Sequence, residues 1–431
     1  MSEGLSRSLD AFAEGWLKSG RLPCMGCAVS IDGQIQYKRY HGWQDKDAGT
    51  PLREDGVYWV ASCTKAVTGV AALQLYEQGL WRLDDELTKF IPSFKNLPGV
   101  AKAEGELEPL KRPILMRDVV THTAGVMPLP LLKLRDGRNH FLAEKFTTAM
   151  AEGHMSGKIQ HLEDFVEMLT TFPLVSQPGV SWEYGWCLDI LGRVVEIISQ
   201  MKIDAYCDKY IFGPLGMSST SFLQNLTPDL KSRMVRMYSV NMAEMMKDPK
   251  TFFKSDNDGV KITRMDDNER AELTFEKSTM LMPGGGLVTS VDDWMKFAQC
   301  LCSGGVGGSN GQRILQERTV ALMGHNLLTA ECVYQTQLSL INGKPKDDAG
   351  AAMSVGVACV KDPEKTLMAP GAFEWGGISS TIFWVDPANK LAVVCFTQLA
   401  PFPIYPLRSL LKDVIYPHIG AASPAQVRSR L

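Results

Sequence analysis

Leu5, Leu9, Phe12 and Trp16 recur at the spacing of one helix face, so the chain opens on an amphipathic helix. The period then changes. "GCAVSIDGQIQYKRYHGWQD" alternates apolar and polar positions on either side of Asp32-Gly33, which predicts a β-hairpin. A helix follows over Thr64 to Gln78, with Val67, Val70, Ala71 and Leu75 at helical spacing. "MRDVVTHTAG", "LEDFVEMLTTF", "CLDILGRVVEIISQ" and "DAYCDKYIF" predict short helices joined by loops, with long irregular stretches near 123–160 and 240–284. Strand patterns return in "GGLVTS", "AFEWGGISSTIFWVD" and "KLAVVCFTQL", with Asp386-Pro387-Ala388-Asn389 as the turn between the last two. A final helix is expected from Pro403 to Tyr416. This order predicts an α/β (α+β) protein. Residues 1–66 and 285–431 would form a discontinuous α/β sandwich domain, its antiparallel sheet flanked by terminal helices. Residues 67–284 would be a mostly helical inserted domain.

Composition agrees with a two-part globular chain. At 431 residues it is too long for one ordinary core, and 45% apolar with 22% charged residues is the balance of a folded protein in water. A net charge of −3, with no basic cluster, gives no footprint for nucleic acid. No run of about 18 apolar residues offers a membrane span. "MSEGLSRSLDAFAEGWLKSG" lacks the apolar core of a signal peptide, so the ten cysteines read as reduced thiols of an intracellular protein. The chain ends in Ser429-Arg430-Leu431 after "GAASPAQVR". This tripeptide resembles the S-K-L type of address, which a peroxisomal import receptor reads at an exposed C-terminus. The expected location is therefore a peroxisome-like organelle, or the cytoplasm if the tripeptide is not read.

Several chemistries are missing from the motifs: there is no G-x-S-x-G, no H-E-x-x-H and no Walker A loop. Cys24-Met25-Gly26-Cys27 has no second C-x-x-C pair and lies where the first hairpin strand begins, so packed thiols are expected there. The histidines are scattered, and His154 and His161 fall in a charged region that reads as surface. S-x-x-K occurs three times, at Ser62–Lys65, Ser199–Lys202 and Ser409–Lys412. Ser199 ends a helical pattern and Ser409 lies within one. Ser62 stands at a strand-to-helix junction, where backbone N–H groups and the helix dipole favour negative charge. Positions i and i+3 share a helix face, so Lys65 reaches the Ser62 hydroxyl. Apolar neighbours desolvate an ammonium and favour its neutral, basic form. The plainer alternative makes Ser62 a helix cap.

Two more stretches bear on that choice. "PGVSWEYGWCLDILG" places Tyr184 in a tryptophan-rich loop before a helix, and "FEWGGISSTIFWVD" places Trp375-Gly376-Gly377 on a strand. Taken singly, Tyr184 reads as a core aromatic and the glycines as a bulge. Together with "LYEQGLWRLDDELTKFIP", "MRDVVTHTAG", "IFGPLGMSSTSF" and "MPGGGLVTSVDDWMKFAQ", in this order, they resemble the serine β-lactamase and penicillin-binding-protein superfamily. The branch they resemble most is that of family VIII esterases and lovastatin-synthase-type acyltransferases, near class C β-lactamases.

The resemblance implies a β-lactamase/transpeptidase-like fold with its active site between the two domains. It implies an acylated nucleophile at Ser62, with Lys65 and Tyr184 as the coupled proton-transfer pair, the base within that pair being open. The amides of Ser62 and Ile378 would form the oxyanion hole, and Trp375-Gly376-Gly377 would replace the family's K-T-G motif. The third position of the family's Y-x-N motif is Trp186 here, and Trp375 replaces the lysine. These departures remove groups that would hold a substrate carboxylate and predict an apolar acyl pocket, with Trp182, Trp186 and Trp375 contributing; core packing is the alternative for these tryptophans. The implied reaction is hydrolysis of a small acyl ester or thioester without metal or organic cofactor. The alternatives are an acyltransferase using an alcohol or amine, a β-lactamase or D-peptidase, and a non-catalytic binding or scaffold member. Oligomeric state is not legible.

Overall fold

The computed structural model describes residues 2–102, 106–127, 140–240, 262–274, 278–308, 311–332, 350–401 and 405–420. The C-terminal Ser429-Arg430-Leu431 lies outside the described residues. The opening helix α1 spans Ser2–Lys18, and the predicted hairpin is β1, Cys24–Ile31, with β2, Gln34–Asp45. A short β3, Thr50–Pro51, extends the edge. The sheet has eight strands. From one edge its order is Ala351–Met353, Ala358–Val360, Phe373–Gly377, Thr381–Asp386, Leu391–Phe396, β1, β2 and β3, each pair antiparallel. The join between early and late segments is the β1 pairing, which sets Cys27 opposite Cys395 and Ala28 opposite Val394.

Side chains alternate across these strands, so each face gathers its own core. Met25, Cys27, Val29, Trp384 and Val393 meet Leu5 and Leu9 of α1 and Leu411 and Ile415 of the terminal helix Leu407–Ile415. Cys24, Ala28, Phe383 and Val394 face the other way, towards Trp294 and Phe297 of the helix Val291–Cys302. Cys24 and Cys27 are both buried and unlinked. Three residues apart on a strand, they point to opposite faces, so they are packed thiols in separate cores.

The next strand, β4 (Val57–Trp59), pairs with Leu287–Ser290, which also pairs with Ser221–Phe222. Helix α2, Thr64–Glu77, is buried from Thr64 to Leu75, as expected of a helix apolar on every side. The following helices are α3, Met116–Val120; α4, His140–Met155; α5, Leu162–Leu169; α6, Cys187–Ser199; and α7, Ile203–Cys207.

Three expectations are corrected. The stretch near 123–160 is not irregular throughout: α4 occupies its second half, burying Leu142, Phe146 and Met150 along one stripe. Likewise 240–284 holds the strand Ile262–Arg264 and the helix Asp267–Thr274. "AFEWGGISSTIFWVD" forms two strands, because the chain reverses at Ile378-Ser379-Ser380 and the Ser380 amide donates to Gly377 O at 2.9 Å. Among the described residues, no helix is long and apolar enough to cross a membrane.

Candidate active site

Ser62 lies in a 3-10 turn, Ala61–Cys63, between β4 and α2. Cys63, not Ser62, occupies the N-cap position of α2. The turn is tight, with Ala61 at φ 45°, a region that costs a non-glycine residue energy and needs outside support. Neighbouring side chains supply it. Ser379 Oγ and Gln398 Nε2 donate to Trp59 O at 2.7 and 3.0 Å, and Gln398 Oε1 accepts the Trp59 amide at 3.3 Å. Thr381 Oγ1 donates to Val60 O at 3.0 Å, and Thr64 Oγ1 donates to Ala61 O at 2.6 Å. Gly377 completes the clamp by having no side chain. A Cβ there would lie 2.4 Å from Val60 O, so the Trp375 strand packs directly on the turn.

Lys65, one turn along, is 3% exposed. Its Nζ donates to Ser62 Oγ at 3.2 Å and to Gly284 O at 2.6 Å. Gly284 belongs to "MPGGG", a loop held by carbonyls that face donors. Pro283 O accepts from Thr68 Oγ1 at 2.6 Å, and Gly285 O accepts from Trp59 Nε1 at 2.8 Å. Tyr184 closes the other side. Its ring lies 4.8 Å from Lys65 Nζ, stacks on Trp182 at 5.5 Å and tilts towards Trp375 at 5.7 Å. The loop carrying Tyr184 is pinned to the segment after α3, where the Glu183 amide donates to His122 O and the Gly179 amide to Thr123 O, both at 2.8 Å.

The structure thus brings Ser62, Lys65, Tyr184 and Trp375 into one cluster from three separate stretches. Gly376 and Gly377 lie opposite Ile382 and Thr381 on the Trp375 strand. Ile378, at the reversal, packs half-buried against the core containing Trp59 and Ala61. Trp186 goes elsewhere: it leads into α6 with its ring 4.9 Å from Phe165 and 6.1 Å from Phe146. These are the contacts that core packing predicts for Trp186.

Two residues of the cluster were not singled out from the sequence. His122 is fully buried at φ 60°, its ring 4.8 Å from Tyr184. Neither ring nitrogen has a hydrogen-bond partner among the described residues. Burial, and then the charge of Lys65, hold its pKa well below the usual histidine value. Asp189 in the first turn of α6 is 2% exposed and accepts the Gly284 amide at 2.9 Å. "THTAG" and "CLDILG" were visible as phrases, but only burial beside Lys65 separates these two from other polar residues in helical patterns.

The cluster can do acyl-transfer chemistry: a hydroxyl on a rigid turn, an amine within hydrogen-bond reach, and a phenol next to that amine. The family model for Beta-lactamase matches residues 9–410, and the chain belongs to this family. Esterase EstB of Burkholderia gladioli is 25% identical over 425 residues, 96% of this chain and 95% of its own. Acyltransferase calJ of Penicillium decumbens is 29% identical over 392 residues, 87% of this chain and 83% of its own. Among solved structures, EstCE1, described as a hydrolase with promiscuous acyltransferase activity, superposes with a TM-score of 0.74 at 20% identity. That superposition covers 96% of this chain and 99% of EstCE1, and it supports the shared fold.

Proposed function

We propose that this protein is a serine hydrolase that cleaves small acyl esters or thioesters through an acyl-enzyme on Ser62. The observation that carries the reading is the buried Lys65 Nζ at 3.2 Å from Ser62 Oγ, with the Tyr184 ring against the same amine. Ser62 Oγ attacks the substrate carbonyl, and its proton passes to the Lys65–Tyr184 pair. The amides of Ser62 and Ile378 stabilise the tetrahedral oxyanion; the clamp on residues 59–63 keeps those donors from having to reorganise. Collapse breaks the ester or thioester bond, and the leaving alkoxide or thiolate takes the proton. Water then attacks the acyl-enzyme by the reverse proton path and releases a carboxylic acid. No step of this chemistry calls for a metal or organic cofactor. Trp375 faces Tyr184 and offers apolar surface to the acyl chain.

A second reading, transfer of the acyl group to an alcohol or amine, is favoured by calJ and EstCE1, whose descriptions name acyltransferase activity. It shares the acyl-enzyme and differs in what attacks it. In both readings the site lies between the segment 67–284 and the sheet-bearing remainder, as Tyr184 comes from the first and Trp375 from the second. The test is incubation with a fluorophosphonate and a p-nitrophenyl ester panel, followed by intact mass. A single adduct lost in Ser62→Ala is expected; an unlabelled, folded wild-type protein overturns the reading. Partition of the acyl-enzyme between water and added alcohol separates hydrolase from transferase.

A further inference from the structure

Asp189 packs against a glycine that could carry no side chain: a Cβ on Gly284 would lie 2.3 Å from Asp189 Oδ2. On one side of Gly284, Asp189 Oδ1 accepts its amide; on the other, its carbonyl accepts Lys65 Nζ. Among the described residues Asp189 forms no salt bridge. A carboxylate buried without an ion partner costs stability, and such groups gather where chemistry uses their charge. An asparagine would keep the shape and an acceptor oxygen without that cost.

Resting on the Ser62–Lys65–Tyr184 reading, we infer that Asp189 is a positioning residue for acylation. It holds Gly284 so that the carbonyl fixes Lys65 beside Ser62. Its negative charge also balances the positive charge that collects on the Lys65–Tyr184 pair as Ser62 loses its proton. The charge acts across one residue in a water-poor site, where it is weakly screened.

Burial raises the Asp189 carboxyl from 3.8 to about 6, against the opposing charge of Lys65 and the hydrogen bond from Gly284. Its surroundings supply few competitors in that window. On α2 it faces Lys65, and beyond α3 lies His122, which burial keeps neutral. On α3, Asp118 is engaged by Arg112 at 2.6 Å; on α5, Glu163 is engaged by Arg193 of α6 at 2.8 Å. Cys187 on α6 is pushed up to about 12 by burial, and Cys207 of α7 is also raised by burial. Glu196, further along α6, is raised by burial and accepts from Ile203 N and Arg193.

The sign for stability follows. A carboxyl whose folded pKa is raised holds its proton more tightly when folded, so its contribution falls as pH rises from 3.8 to about 6. Removing it should stabilise the fold at neutral pH while slowing the chemistry, and an ordinary structural carboxylate would not give this opposite pair of signs.

The experiment compares Asp189→Asn with wild type. It reads the acylation rate of Ser62 by p-nitrophenyl butyrate from about pH 5 to pH 8, together with melting temperature over the same range. At the upper end the variant should acylate about 10-fold slower or worse, the size of a lost electrostatic positioning effect. At the lower end, where wild-type Asp189 carries a proton, the two rates should converge to within about 2-fold. The melting temperature of the variant relative to wild type should rise with pH. Equal rates throughout, or the same deficit at both ends, would overturn the inference. A wild-type protein that is never acylated at Ser62 would remove the underlying reading, and this inference with it. Should the first not fold, Asp189→Ser is the second variant. Too short to hold the Gly284 amide, it should acylate about 10-fold slower or worse at both ends while melting above wild type at the upper end. Wild-type rates from it would overturn the inference.

Discussion

The Ser62 side chain points at the Lys65 amine instead of capping a helix, and this predicts what its loss will do. A lost N-cap costs about 1 kcal/mol and spares activity. With Lys65 Nζ at 3.2 Å and Cys63, not Ser62, at the N-cap of α2, the expectation is the reverse. Ser62→Ala and Lys65→Ala should each abolish ester turnover in a folded protein, and Tyr184→Phe should cost about 10²-fold or more. Steady-state kinetics with circular dichroism on the same samples checks this; turnover surviving in Ser62→Ala would end the reading. Trp375 sets a second expectation. Each CH₂ it buries is worth about 0.8 kcal/mol, while position 375 gives a substrate carboxylate no cation to replace its water. Acetate and butyrate p-nitrophenyl esters should therefore be cleaved with far higher kcat/KM than nitrocefin. Trp375→Ala should flatten the preference among acyl chains more than it slows the acetate. Efficient nitrocefin hydrolysis without esterase activity would reverse the substrate assignment. At this scale the sequence was legible where spacing alone carries contact. Ser62 and Lys65 are i and i+3, whereas Tyr184 and Trp375 needed a resemblance to be joined to them. Trp182 and Trp186 flank Tyr184 alike in the sequence. Only the fold shows that Trp182 stacks on Tyr184 while Trp186 enters the core with α6.

Elements hold these residues through two devices, and each makes a prediction. The turn at 59–63 depends on hydroxyls from the hairpin that follows Trp375. Thr381 is fully buried, so Thr381→Val removes the donor to Val60 O with little change of shape. Val60 O keeps the Cys63 amide at 3.0 Å, so losing this second donor should cost about 0.5–1.5 kcal/mol in denaturant unfolding. The same change should lower kcat more than it raises KM, with Thr381→Ser restoring most of both. A kcat unchanged in the valine variant would show that the clamp does not shape the site. On the neighbouring strand Phe373–Gly377, and on the opposite face of the sheet, Glu374 meets Lys412 at 2.5 Å and Arg408 at 3.6 Å, and this joins the terminal helix to the sheet. Burial pushes the Glu374 carboxyl up, but Arg408 and Lys412 outweigh burial and hold it below its ordinary 4.5. A depressed carboxyl stabilises the fold above its unfolded pKa and loses that contribution as pH falls through the folded value. Glu374→Ala should therefore cost about 3–5 kcal/mol near neutrality, since it takes the carboxylate from the buried Lys412. The gap from wild type should narrow on acidification below about pH 4 in melting experiments. A constant gap would show that charge is not the cause. Neither device was legible beforehand. "EWGGISST" alternates like one continuous strand, and nothing local shows that Ser379 and Thr381 turn back onto residues far earlier in the chain.

The whole molecule joins its ends at the sheet, and chain order made that much readable. Strand patterns near both termini with helices between them predict a sheet closed by an early strand beside a late one, and β1 against Leu391–Phe396 is that pairing. Helix α4 escaped because its buried stripe, Leu142, Phe146 and Met150, is only one residue wide per turn, between polar neighbours. The last expectation also belongs to the whole chain, because an address works only if it is presented away from the folded body. Ser429-Arg430-Leu431 follows the terminal helix Leu407–Ile415 by more than a dozen residues, in a stretch rich in small residues and proline. Receptor-read C-terminal addresses need a free end and no membrane affinity. A fusion with its fluorescent tag at the N-terminus should therefore gather in peroxisome-like bodies. Deleting the three residues, or moving the tag onto the C-terminus, should leave it diffuse. Ester turnover measured on the full chain should be the same in either place, since the tail is remote in sequence from Ser62, Lys65 and Tyr184. An intact C-terminus that gives a diffuse signal would show that the tripeptide is not read, and the proposal of an import receptor as partner would fall with it.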